Sequence, residues 1–179
     1  TEAANLPTAN GVEAGTDIQA AEITATSGDV KANSGSITAK QITAESGAVT
    51  AGQNITSTNA VKAASVKATS GNITVATVND DGEITEGTAQ NLTATTVEAG
   101  GDITAKRITA GENEDGETQK VESVKAGGTI TAETIKANEV EADNIVIESS
   151  DSEAVLSVDS DLKVKETLTV ASGSTVEIT

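Results

Sequence analysis

The chain has no Phe, Tyr, Trp, Met, Cys or His, and its single proline is Pro7. Each absence removes a possibility. Without Cys, no disulfide staples the fold, and the redox compartment stays open. Without His or Cys, the usual general base and thiol nucleophile are missing. Without aromatic rings there is no stacking platform for sugars and no bulky side chain to fill a wide core. Hydrophobic residues still make up 36% of the 179 residues, but they are Ala, Val, Ile and a few Leu. Such a core must be thin, with backbones close together, and a narrow solenoid provides that.

Positive charge is scarce as well: 11 Lys and Arg stand against 28 Asp and Glu, a net charge of −17. The balance argues against nucleic acid as a partner and against anionic membrane surfaces. No apolar run approaches the length of a membrane span. The excess of acid favours solubility and keeps long flat faces from sticking side by side. Low hydrophobicity with high net charge also marks disorder, but a regular recurrence of Val and Ile does not. The chain opens on Thr1 with no signal sequence, which fits a secreted protein whose signal peptide has been removed or a trimmed chain; secretion is the expectation.

What is present is a repeat. Val30 to Ala44, VKANSGSITAKQITA, holds three copies of a three-residue unit: Val30-Lys31-Ala32, Ile37-Thr38-Ala39 and Ile42-Thr43-Ala44. Alternate side chains of a strand point to opposite faces, so each unit sends a branched aliphatic and an alanine inward and a polar residue outward. Asn33-Ser34-Gly35-Ser36 between the first two units is turn chemistry, and Lys40-Gln41 leaves room only for a tight corner. Three short strands and three corners make one coil. Near copies begin at Val12, Val49, Val66, Val97 and Val124, with a period close to 18 residues where nothing is inserted. This predicts an all-β, three-sided, right-handed β-solenoid. Its expected core is Val30, Ile37, Ile42, Val49, Ile55, Val66, Ile73, Val97, Ile103, Ile108, Val124, Ile130 and Ile135.

The residue before the second strand of each coil forms a column: Asp17, Ser36, Asn54, Asn72, Asp102 and Thr129. Stacked small polar side chains there can bond along the axis as a ladder, or serve as isolated turn residues. Two of three N-x-T sequons, at Asn54 and Asn72, fall in this column; the third is at Asn91.

Residues 1–11 carry no alternation and read as an arm, a cap or a strand donated to a neighbour. Coils run over 12–142, interrupted at about 79–90 and 111–120. Val78 is the expected third strand of the fourth coil, just before the first interruption. The segments Asn79-Asp80-Asp81-Gly82-Glu83 and Asn113-Glu114-Asp115-Gly116-Glu117 carry hairpin-turn signals. They are expected to project from one corner as stacked neighbours. Over 143–179, Val, Leu and Ile replace alanine at the second inward position, giving wider coils or a capping sheet. If that end is uncapped, its open core and unpaired backbone form a template for another subunit.

The pattern Val-x-Ala-x-x-Gly-x-Ile-Thr-Ala, over roughly Val12 to Ala142, resembles the β-helical passengers of secreted bacterial adhesins of the filamentous haemagglutinin kind. It is also similar to the bactofilins, cytoskeletal polymers of small β-helices, though richer in alanine and with two insertions. The resemblance implies the fold and a structural or adhesive role, and supplies no catalytic residues.

The expectation is a non-enzymatic structural protein at the cell surface or outside the cell, self-associating end to end, without a cofactor. The alternative is an adhesin passenger whose inserted segments contact a host or cell-surface ligand. Asp80, Asp81, Glu83, Glu114, Asp115 and Glu117 are weak Ca²⁺ candidates, since hard cations want several oxygens. Their spacing fits neither an EF-hand nor a calcium-binding β-roll, and a solvated turn explains them. An ice-binding face is a minor alternative, because Thr38, Thr56, Thr74, Thr104 and Thr131 form one outward column.

Overall fold

A computed structural model describes residues 9–75, 91–94, 96–110, 123–148 and 154–179. Among them every regular element is a β-strand, fifteen in all, in one continuous sheet. In chain order these are β1 (Val12–Ala14), β2 (Ile18–Ala25), β3 (Val30–Ala32), β4 (Ile37–Ala51) and β5 (Ile55–Ala68). Then come β6 (Ile73–Val75), β7 (Asn91–Ala94), β8 (Thr96–Ala99), β9 (Ile103–Ala105) and β10 (Arg107–Ala110). The last are β11 (Ser123–Ala126), β12 (Thr129–Ala132), β13 (Thr134–Ile147), β14 (Val155–Val170) and β15 (Thr175–Ile178).

All the strand pairings are parallel, and each strand between the two end coils pairs with the coils before and after it. Val12 pairs with Val30 and Val30 with Val49, steps of 18 and 19 residues. The first face runs from Val12 through Val66, Val97 and Val140 to Leu162. The second runs from Ile18 to Leu168, and the third from Ile23 to Val176. Each face thus carries eight stacked strands. At the usual spacing of about 4.8 Å the body is on the order of 40 Å long. The expected three-sided solenoid is the fold.

Burial follows the period of two. β3 and β6 read buried–out–buried, and all thirteen expected core residues are at most 1% exposed. Alanine at the second inward position keeps the section thin. Where Ser57 replaces it, the single proton of the buried hydroxyl has two carbonyl acceptors in reach, Lys40 at 2.9 Å and Ala60 at 3.1 Å, so the hydroxyl has a partner for its donor. Towards the C-terminus Ile147 and Val158 take the second inward position, fully buried, and the coils continue through β15. The last corner turns at Gly173, whose φ of 88° glycine adopts without strain, closed by Ser174 N–H on the Ala171 carbonyl at 3.2 Å.

Two expectations need correction. The rung above Val61 on the third face is Leu92, paired also with Ile108, so Leu92 and not Val78 completes the fourth coil. Val78 lies outside the described residues. Second, the two insertions do not share a corner. Residues 76–90 leave the second face after Val75 and rejoin on the third at Asn91. Residues 111–122 leave the third face after Ala110 and rejoin on the first at Ser123. The likeness of NDDGE to NEDGE is turn chemistry, which carries no information about faces. The hairpins themselves lie outside the described residues.

Candidate functional site

Three features are distinctive: the polar ladder at the first corner, the outward faces, and the two ends. The ladder is real. Asp17 Oδ1 accepts from Ser36 N–H at 2.8 Å, and Asn54 Oδ1 from Asn72 N–H at 2.9 Å. Asn72 Oδ1 accepts from Asp102 N–H at 2.9 Å, and Asp102 Oδ1 from Thr129 N–H at 2.8 Å. Each side chain binds the backbone of the next coil. Such bonds replace the backbone partners lost where the chain turns. Hydroxyls add bonds in the other direction: Ser34 donates to the Gly15 carbonyl at 2.6 Å and Ser70 to the Gly52 carbonyl at 2.7 Å.

The reach of these carboxylate and amide oxygens fixes a second column. A Cβ on Gly101 would collide with Asn72 Oδ1 and one on Gly128 with Asp102 Oδ1, while one on Gly35 or Gly71 would meet Asp17 or Asn54 together with the backbone of Thr16 or Gln53. Where the coil below carries Ser36 or Thr129 instead, the position above is Gln53 or Asp143. Asn144 makes no such rung; its amide donates to Glu166 at 3.4 Å, and Glu166 stands where the glycine would be. Asp29 repeats the device at the third corner. Its Oδ1 accepts from Ala48 N–H at 2.8 Å, beneath Gly47. This coupling was readable in the sequence as a glycine 17 to 29 residues after each Asp or Asn rung, a signal the column reading missed.

The outward faces are solvated. On the first face the column runs Glu13, Lys31, Thr50, Lys67, Glu98, Lys125, Glu141, Lys163, and no two adjacent positions carry like charge. Lys67 and Glu98 lie 2.9 Å apart. On the second face Thr38, Thr56, Thr74, Thr104 and Thr131 stack in register. Their flanking positions are buried, so a single column forms. At the second corner a small pocket is lined by Asn91, Lys106, Arg107, Glu133 and Thr134, with Lys106 and Glu133 3.8 Å apart. Its charges are mixed and mutually engaged. At the first corner Lys165 lies 3.1 Å from Asp143, and its hydrogen bond with that carboxylate, then its charge, raise the lysine pKa.

The Ca²⁺ candidates Asp80, Asp81, Glu83, Glu114, Asp115 and Glu117 all lie outside the described residues. Among the described residues no three His, Cys, Asp or Glu side chains converge as a metal site. Of the sequons, Asn54 and Asn72 are ladder residues and Asn91 begins a strand of the third face.

The two ends differ. At the N-terminal end, Ala9 forms a bridge with Ala25, donating to the Thr24 carbonyl at 3.2 Å and accepting from Thr26 N–H at 2.8 Å. It begins a further rung on the third face, while Val12 and Ala14 on the first face stay half-buried. At the C-terminal end the last coil turns Leu168, Val176 and Ile178 to solvent, 38%, 41% and 53% exposed. No other large hydrophobic residue among those described is exposed to this degree. Leu162, Val164 and Val170 are packed against the core on one side only. Comparison with known protein families, with curated proteins and with solved structures finds no match to this chain.

Proposed function

We propose that this chain is a structural protein: a secreted or cell-surface β-solenoid subunit that assembles end to end into a filament. The reading is carried by the last described coil, where Leu168, Val176 and Ile178 face water. An open rung also leaves alternate N–H and C=O groups unpaired, which is a template for another strand. The long sides argue the other way: they are polar, acidic and without exposed large aliphatics among the described residues. Association is thereby directed to the axis. Sedimentation over a range of concentrations tests this. The parent chain is expected to form growing linear species, and a Val176→Glu/Ile178→Glu variant that keeps the parent's β circular dichroism is expected to stay monomeric. A parent that sediments as a monomer throughout contradicts the reading.

A second reading is an adhesin passenger. It is favoured by the frame holding register across both insertions: Val61 pairs with Leu92, and Val97 with Val124. Residues 76–90 and 111–122 are therefore additions to an unbroken scaffold, at two different corners. Deleting them should abolish adherence to cells while sparing the fold if this reading holds.

A further inference from the structure

Resting on the end-to-end reading, we infer that the partner of the open C-terminal coil is the N-terminal coil of a second copy, docked head to tail, and that Ala9 of that second copy occupies the rung which the C-terminal coil must fill.

Three observations on the two end coils fit one orientation. The first is charge. The first-face column alternates without a like-charged neighbour and ends at Lys163, so a following copy would set Glu13 above it and continue the alternation. In the free chain Lys163 leans towards Asp161 at 3.8 Å and Glu13 accepts from Asn33 at 3.0 Å, both exposed contacts that leave the charges available. A tail-to-tail pair would instead bring two Lys163 columns together, where like charges oppose pairing.

The second is the corner rule. Glycine stands above Asp and Asn rungs, and a side chain above Ser or Thr. The last rung is Thr167, and the residue preceding the first rung, Asp17, is Thr16. That junction obeys the rule. The third is Gly15. A Cβ on Gly52, in the same column, would lie 2.7 Å from the Asn33 carbonyl oxygen of the coil below, and one on Gly127 would collide with Gly100. Gly15 meets no atom within 4 Å. A docked last coil supplies the missing neighbour.

The same geometry shows what stands in the way. Ile178 belongs to the inward column that contains Ala25, and Ala9 takes the next place in that column below Ala25. With the first and second faces of the two copies in register, Ile178 of one and Ala9 of the other claim one rung. Two strands cannot share it, so docking displaces Ala9 and exchanges its two backbone bonds for those of β15. The N-terminal end is thus held closed by a short segment of its own chain.

Two sets of variants test this, with light scattering giving the concentration at which assembly begins. Ala9→Pro removes the N–H that holds the rung. It should lower the threshold by roughly three- to tenfold, the factor that one net hydrogen bond represents. Glu13→Lys and Lys163→Glu should each raise the threshold. Each also sets like charges beside each other within a copy, at Lys31 and at Glu141, and these distant penalties add in the double variant. Recovery of assembly by Glu13→Lys/Lys163→Glu would therefore report contact between copies. A double variant no better than the singles, with the parent still assembling, overturns the head-to-tail orientation and leaves end-to-end association standing. An unchanged or raised threshold for Ala9→Pro overturns the displacement. No assembly by any of the chains overturns the end-to-end reading itself.

Discussion

Asp102 and Gly128 are two halves of one joint: the Asp102 Oδ1 that accepts from Thr129 N–H at 2.8 Å occupies the space a Cβ on Gly128 would need. Gly128→Ala should therefore cost about 1–3 kcal/mol, the range for forcing an atom into a packed site. The loss is read as a shift in a chemical denaturation midpoint. Asp102→Ser/Gly128→Ala should recover much of it, because the shorter hydroxyl vacates the space, as Ser36 does beneath Gln53. Gly15→Ala, with open space around it, should stay within about 0.5 kcal/mol of the parent.

Leu92 is fully buried between Val61 and Ile108 on the third face. Leu92→Ala should cost about 2–5 kcal/mol, the range for truncating a core aliphatic. Thermal unfolding followed by circular dichroism at the strand minimum checks it. A loss under about 1 kcal/mol would mean that some other residue fills that rung.

Each copy carries a net charge of −17, so the proposed assembly would work against long-range repulsion. Raising salt from about 10 mM to about 0.5 M shortens the screening length several-fold. Scattering should then show a lower assembly threshold, despite some weakening of the local pair of Lys163 and Glu13.

Lys165 holds Asp143 by a hydrogen bond and by opposite charge, which raises its pKa in the folded chain. A raised pKa means the folded state binds the proton more tightly. The associated stability is complete below the ordinary lysine value and is lost as pH climbs through the folded one. Lys165 is exposed and Asp143 only half-buried, so the effect on stability is small. Carbon NMR titration of the Lys165 side chain should place its pKa above the ordinary lysine value, and Asp143→Asn should lower it.

The sequence made the coil legible because one rule, Val-x-Ala or Ile-Thr-Ala three times over, serves propensity, alternation and packing at once. Columns headed by Val30, Ile37 and Ile42 could be followed by counting. Counting failed where residues were inserted. Val78 follows Ile73 by five residues, as Ile42 follows Ile37, so spacing favoured it. Leu92 wins by pairing in register with Val61 and Ile108. That choice depends on contacts between coils and not on local pattern. The same limit hid the corner from which each insertion leaves. Towards the C-terminus, Val, Leu and Ile in place of alanine marked a change in the inward residues, and Ile147 and Val158 are buried there. That Leu168, Val176 and Ile178 face solvent required seeing that no further described strand covers them.

The account stands on the stack of windings passing from one molecule into the next. Cryo-electron microscopy of the concentrated protein tests that directly. It predicts unbranched rods with a strand repeat of about 4.8 Å running through each junction and a subunit repeat on the order of 40 Å. Separate particles of about that length at every concentration, or rods joined along their sides, would contradict it.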